Sequence, residues 1–228
     1  MENFELLIQR NKNLIKKVID FNIGLDTLLT LNFTASNTAL TGDILQDTDL
    51  FSAWVNQQLV ENNARYGIGG YNEHRTIYSR SAHFDTGEEP RRLHLGVDMW
   101  APAETPIFNF YDATVHSFAD NNNFGDYGAT IILSYNIEDY QFHVLYGHLS
   151  YASIRGLREG DFISAGAKIA TLGVKEENGY WPPHLHFQLI KDMQGLKGDY
   201  PGVCKFSERD KYLANCPDPN IILNTNFY

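Results

Sequence analysis

From about residue 66 onward the chain consists of short alternating runs separated by turn chemistry, and this restricts the folds open to it more than any other feature. The runs cover 106–111, 113–118, 129–135, 141–147, 167–172 and 184–190. Period-two alternation puts one side of each run on a core face. Asp120-Asn121-Asn122-Asn123, Asn136-Ile137-Glu138-Asp139 and Arg158-Glu159-Gly160-Asp161 supply turns between them. This spacing predicts an antiparallel β sandwich or barrel-like core. Residues 1–65 differ in texture. Periodicity predicts a helix over about the first 22 residues, with Leu7, Ile8, Leu14, Ile15 and Val18 on one face. A short strand through Leu29, Leu31 and Phe33 follows, then a helix over about 48–62 with Phe51, Trp54, Val55 and Leu59 inward. Gly67, Gly69 and Gly70 break off that helix. The expected fold class is mainly β with N-terminal helices (α+β). It divides into an N-terminal extension at 1–65 packed on the core, a β domain at 66–195 and a C-terminal wrap at 196–228.

Charge and composition narrow the function. Net charge is −10 over 228 residues. That is no electrostatic footprint for a general nucleic-acid binder, nor for a peripheral binder of anionic membranes. No apolar run approaches the ~20 residues of a membrane helix. Met1-Glu2-Asn3-Phe4-Glu5 has no basic region leading into an apolar stretch, so a cytoplasmic location is expected, with export the alternative for a trimmed chain. Cys204 and Cys216 read as free, buried thiols in a reducing compartment.

Three histidine segments carry chemistry. His94-Leu95-Gly96-Val97-Asp98 offers an imidazole and a carboxylate, donors that suit zinc, and Gly96 permits a bent strand end with close backbone approach. In His184-Leu185-His186-Phe187-Gln188-Leu189, strand parity sends Leu185, Phe187 and Leu189 to the core. His184, His186 and Gln188 then share the other face; a half-exposed strand with polar positions is the alternative. His148, after Gly147 at the end of a run, can reach into a cleft or simply cap the strand. His143 has the opposite parity and faces elsewhere. Structural zinc sites are usually Cys-rich, whereas catalytic ones keep three ligands and an open position, and this set fits the second kind. His-Glu-x-x-His is absent. Spacing alone leaves open which of His184 and His186 is a ligand.

In order and separation, His94-x-Gly96-x-Asp98, Tyr146-Gly147-His148-Leu149 and His184-x-His186 resemble the lysostaphin-type zinc endopeptidases, which cleave peptide cross-links and stem peptides of peptidoglycan in the bacterial cell wall. The resemblance covers about residues 65–190 and includes Pro102-Ala103-Glu104-Thr105-Pro106-Ile107, Gly125-Asp126-Tyr127-Gly128 and the Gly160–Gly173 pattern. It implies an antiparallel β core of the duplicated hybrid motif kind, with a groove across it. It further implies Zn²⁺ held by His94, Asp98 and His186, with His148 and His184 as an unligated catalytic pair. The implied activity is zinc-dependent hydrolysis of peptide bonds in peptidoglycan-derived or related small peptides, with a peptide or muropeptide as the partner. The alternative is a non-hydrolytic, metal-bearing peptide-binding or regulatory module. The Gly160–Gly173 stretch also has the look of a biotinyl or lipoyl hairpin, but Lys168 lies inside a strand pattern rather than at a tip.

The acidic charge and the preceding helices depart from typical members. A cytoplasmic-looking subgroup resembles the chain more fully, through Gly69-Gly70-Tyr71-Asn72-Glu73-x-Arg75, Asp199-Tyr200-Pro201-Gly202-Val203-Cys204 and Asn215-Cys216-Pro217-Asp218-Pro219. Asn72, Arg75 and Arg80 are candidates for binding a substrate carboxylate. Their alternative is an ion pair with Glu73 or Asp85 that orders a loop. Tyr127 lines the groove or packs in the core.

Overall fold

The computed structural model describes residues 4–85 and 87–225. In chain order the elements are α1 (Phe4–Asn11), β1 (Leu28–Thr30), α2 (Gly42–Gln46), α3 (Thr48–Glu61), β2 (Tyr66–Gly69), β3 (Leu93–His94), β4 (Val97–Trp100), β5 (Pro106–Phe108) and β6 (Ala113–Asn121). There follow β7 (Gly128–Ile137), β8 (Tyr140–Leu149), α4 (Tyr151–Ile154), β9 (Phe162–Ile163), β10 (Lys168–Thr171), β11 (His184–Ile190), β12 (Val203–Cys204), α5 (Arg209–Asn215) and α6 (Asn220–Leu223).

Eight strands form one sheet in the order β1-β2-β4-β11-β8-β7-β6-β9. Its pairs are antiparallel except β1 with β2, so the sheet is mixed rather than wholly antiparallel. Two-stranded sheets β10-β5 and β12-β3 complete the β structure. The fold is mainly β with N-terminal helices, as expected, and its β structure is one large sheet with two small ones.

Both faces of the large sheet are covered. On one, Val97, Met99, Ile131, Leu133, Tyr135, Phe142, Val144, Leu185, Phe187 and Leu189 form the main core with Leu7, Ile8 and Val18. On the other, Ile132, Leu145 and Ile190 pack with Tyr200, Cys204 and Cys216 of the C-terminal segment. A third cluster, around Phe33, Phe51, Trp100 and Trp181, joins the N-terminal extension to the edge of the sheet. Burial on two sides explains why β7 and β11 are continuously buried for most of their length rather than alternately exposed.

The second predicted helix is α3. Asp47 caps it, its carboxylate accepting from the backbone N–H groups of Asp49 (2.8 Å) and Leu50 (3.1 Å). Phe51, Val55 and Leu59 are buried and Trp54 half-buried. The first helix is shorter than expected, and residues 1–3 of that expectation lie outside the described residues. It stops at Asn11, whose side-chain amide donates to the Leu7 carbonyl (3.0 Å). The chain then runs extended along β5: Lys16 N donates to Phe110 O (2.8 Å), and Ile19 bridges Ile107. Tertiary hydrogen bonds override helical periodicity there.

Strand β2 was read only as a glycine break. Its glycines serve close packing instead: a Cβ on Gly69 would fall 2.5 Å from Arg75 Nη2. From 196 to 225 the segment is ordered, and it is more than a surface wrap. β12 pairs with β3, and Tyr200, Val203, Cys204 and Cys216 are buried.

Candidate metal centre and cleft

Strand register assembles the site. β4 and β11 are antiparallel neighbours, with Asp98 opposite His186 and Trp100 opposite His184. His94 lies on β3, separated from Asp98 by a bend at Gly96, where a Cβ would fall 2.8 Å from His186 Nε2. The glycine therefore lets the backbone pass directly over the imidazole. His148 is next to last in β8 and has φ +61°, a left-handed conformation rare for a non-glycine residue and concentrated at functional sites. His94, Asp98, His148, His184 and His186 are all buried.

Each imidazole has one nitrogen committed. His94 Nδ1 faces the Gly70 carbonyl at 2.9 Å, His148 Nδ1 the Asn178 carbonyl at 2.8 Å, and His184 Nδ1 the Pro182 carbonyl at 2.8 Å. A carbonyl only accepts, so these nitrogens carry the proton and each Nε2 keeps its lone pair. His186 is reversed. Its Nε2 donates to Gln188 Oε1 (2.8 Å), and the Gln188 amide is oriented by donating to the Pro201 carbonyl (3.0 Å) and to Cys216 Sγ (3.4 Å). His186 Nδ1 is therefore the bare atom.

Three lone-pair atoms then converge with no hydrogen between them. His94 Nε2 lies 3.0 Å from His186 Nδ1 and 3.3 Å from Asp98 Oδ1, and His186 Nδ1 lies 3.0 Å from that same oxygen. Two neutral nitrogens and one carboxylate oxygen match the donor preference of zinc, and a tetrahedron with ~2.0–2.1 Å bonds has edges of about 3.3 Å. Among the described residues, His94, Asp98 and His186 are a group able to hold a metal ion.

Electrostatics favour the ligating forms. Burial, aided by Arg75, lowers His94 to about 4, and burial lowers His184 to about 4. Burial and the neighbouring imidazoles push His148 well below its ordinary value. Burial alone would raise the Asp98 carboxyl, but His94, Arg75 and His184 outweigh it and hold it well below the usual range.

Arg75 stands behind the site. It is fully buried, donating to Asp98 Oδ2 (2.5 Å), Glu73 Oε2 (2.7 Å) and the Tyr78 hydroxyl (3.3 Å). It thus engages the outer oxygen of Asp98, leaving Oδ1 to the histidines. The carboxylate-clamp expectation for Arg75 gives way to the ion-pair alternative, extended to Asp98. Asn72 also lies outside the cleft lining, its Oδ1 accepting from Arg209 (3.0 Å). Arg80 is buried against Phe51, Phe124 and Trp181, with Nη2 donating to Thr48 (2.8 Å). Asp85 pairs with Arg92 instead. Tyr127 does line the cleft. His143 faces His116, ring centroids 4.9 Å apart, away from the site.

The cleft exposes Asp98, His148, His184 and His186 to an apolar wall of Ile77, Tyr78, Phe84 and Trp181. The rings of His148 and His184 are 4.1 Å apart. Trp100 stacks on His184 at 4.0 Å and rests in turn on Phe33 (5.0 Å) and Phe51 (6.1 Å) of the N-terminal extension. Sequence reasoning misses Trp100 and Asn178 as supports, and gives Arg75 its ion pair with Glu73 but not the one with Asp98. Gln188 had been placed on the correct strand face without a role.

The site is thus a group able to hold a metal ion, with two further imidazoles beside it, on a β scaffold. Residues 92–198 match the family model of peptidase family M23. That stretch is similar to the domain of this family. Solved structures similar to it include the catalytic domain of the antimicrobial peptidase lysostaphin from Staphylococcus simulans, 22% identical over 71% of this chain and 96% of that one, TM-score 0.42. A mutant catalytic domain of the prophage-encoded M23 protein EnpA from Enterococcus faecalis is 26% identical over 48% and 79%, TM-score 0.36. A zinc-containing peptidase from Vibrio cholerae is 23% identical over 43% and 27%, TM-score 0.35. No curated protein matches the chain.

Proposed function

We propose that the protein is a zinc-dependent peptidase that hydrolyses amide bonds of short peptides, peptidoglycan-derived or related. The observation that carries this reading is the convergence of three bare donor atoms, 3.0–3.3 Å apart, beside two further bare imidazole nitrogens in one cleft. The family match is consistent with it. His94 Nε2, Asp98 Oδ1 and His186 Nδ1 would hold the ion. When bound, zinc supplies Lewis-acid polarisation of the scissile carbonyl and a water whose pKa is near ~7.

The remaining steps belong to the chain. His148 Nε2 and His184 Nε2 are lone-pair acceptors, held so by the Asn178 and Pro182 carbonyls. One accepts a proton from the attacking water; once protonated, it can hydrogen-bond the developing oxyanion or return the proton to the leaving amine. Their low basicity in the buried site keeps both neutral at pH 7. The Trp100 stack fixes the plane of His184, and the left-handed backbone fixes the direction of His148.

The test joins metal analysis to cleavage of muropeptides and of simple glycyl and alanyl peptides. His148→Ala is expected to keep zinc while losing ~10²–10⁴-fold in turnover. His94→Ala and Asp98→Ala are expected to lose the metal. Retention of zinc by both ligand variants, or no chelator-sensitive turnover of any peptide by the unaltered protein, overturns the reading; the second result points to the non-hydrolytic binding module.

A further inference from the structure

Two histidines outside the cleft meet across a strand to which neither belongs. His116 lies on β6 and His143 on β8, with β7 between them. Strands two apart in a sheet are about 9.5 Å from one another. The two rings nevertheless stand 4.9 Å apart, at 77°. A break in register brings them together. β6 pairs with β7 at Val115–Leu133 and again at Ser117–Ile132, which leaves His116 as the extra residue of a bulge. Val115 and Phe118 both pack on the main core, so His116 and Ser117 follow one another on the opposite face. That is the face of Ile132, Leu145 and Ile190, and His143, between the core residues Phe142 and Val144, shares it. Ser134, opposite His143 in register, is small and leaves room beneath the rings.

The pair repeats the relation of the two imidazoles in the metal triangle, His94 and His186, whose rings are also 4.9 Å apart, at 70°. His143 Nδ1 is buried and has no hydrogen-bond partner among the described residues. His116 Nδ1 lies 2.8 Å from Ser117 Oγ, itself fixed by accepting from Gly198 N (2.8 Å). With Nδ1 donating there, His116 Nε2 keeps its lone pair. Burial lowers His116, and burial together with His116 lowers His143 to about 4, so both are neutral at pH 7, the form that ligates. The charges acting on the pair are Lys197, Glu159 and Asp192. Lys197 is paired with Glu159 (2.5 Å), which leaves the Asp192 carboxylate as the net charge.

We propose that His116 and His143 form a second site for a divalent transition-metal ion such as zinc, separate from the centre in the cleft and completed by water. The ion joins β6 to β8 over β7. His143 is paired in register with Ile190 and Gly147 with His186, so the two sites share one sheet face about 14 Å apart along β8. Imidazole donors select zinc, copper or nickel over magnesium and calcium, which take oxygen. Two protein donors in place of three make this the weaker site. It requires no hydrolysis, so it stands or falls apart from the peptidase reading.

Zinc titrated by calorimetry into the metal-free full chain, with nitrogen NMR of the imidazoles in the same samples, tests the site. Two classes of binding are expected, a tight one and a weaker one, and filling the weaker one is expected to shift the ring nitrogens of His116 and His143. His116→Ala and, separately, His143→Asn are each expected to weaken that class about 10-fold or more, since loss of even an outer partner of a metal ligand costs ~10–100-fold. Both are expected to leave the tight class unchanged. His74→Ala, at an exposed histidine of neither group, is expected to change neither class. His143 is half-buried, so melting temperatures are recorded alongside, and His116→Ala decides alone where His143→Asn fails to fold. A single class that His94→Ala removes, a weaker class that survives His116→Ala, or one that His74→Ala weakens equally overturns the second site. Zinc binding that His116→Ala removes and His94→Ala does not touch upholds it even where the cleft takes no zinc, a result that sinks the peptidase reading alone.

Discussion

Gln188→Leu tests the wiring of the metal centre most directly. Gln188 Oε1 is the acceptor that keeps the proton on His186 Nε2 and so leaves Nδ1 bare. Leucine is one atom shorter and suits a fully buried position, but it accepts nothing. An unsatisfied imidazole N–H then costs about 1–3 kcal/mol. His186 can avoid that by moving its proton to Nδ1 or turning its ring, and either change removes a donor from the triangle with His94 Nε2 and Asp98 Oδ1. Loss of such a supporting partner typically weakens metal affinity ~10–100-fold, or about 1.4–2.8 kcal/mol. The assay is competition for zinc against a chromophoric chelator, with denaturant unfolding of the zinc-free protein alongside. Gln188→Glu, which restores an acceptor for His186, is expected to recover part of the affinity. Zinc binding by Gln188→Leu within about threefold of the unaltered protein refutes the reasoning, since it would mean that Gln188 has no hold on the tautomer.

Arg75→Met leaves the buried Asp98 carboxylate and the half-buried Glu73 carboxylate without their cation, and denaturant unfolding of the zinc-free protein is expected to show a loss of about 3–5 kcal/mol. Saturating zinc should shrink that loss, because the ion supplies the missing positive charge to Asp98; an equal or larger loss with zinc contradicts the assignment. His94 and His184 have folded values of about 4, below the 6.5 of an unfolded histidine, so the unfolded chain binds more protons between those limits. In chelator, the melting temperature should therefore fall as pH drops from about 6.5 toward 4; a flat profile across that range excludes buried neutral imidazoles. Phe33→Ala, at a fully buried ring, is expected to cost about 3–5 kcal/mol by denaturant melt.

What could be read in advance follows from which interactions are local. Alternation located the strands that hold His148, His184 and His186, because period two is imposed by backbone geometry alone. Asp47 and the Phe51, Val55, Leu59 stripe made α3 equally visible. Strand β2 was hidden because its glycines answer to Leu31, Trp100 and Arg75, contacts invisible along the chain. The first helix was overextended for a similar reason: Leu14, placed on its inward face, is exposed, and Ile19 is held by Ile107 in a β bridge. Within the site, Gln188 shared the parity of the two histidines, a signal that placed it without saying what it touched. Arg75 carried no signal for Asp98, 23 positions away, and nothing local announces that the Asn178 carbonyl meets His148.

The wall formed by Phe33 and Phe51 behind Trp100 has a bearing on how this protein can be dissected. A fragment cut to the family-matched stretch, 92–198, would retain all five polar side chains of the centre. It would nonetheless discard the Gly70 carbonyl that sets His94, the guanidinium behind Asp98, the Phe33 and Phe51 rings behind Trp100, and both anchors of Gln188 at Pro201 and Cys216. The catalytic unit is thus not a portable module bounded by its signature residues. Its upstream and downstream arms are working parts of the machinery, and transplanting the middle alone should yield a sheet with histidines but no organised centre.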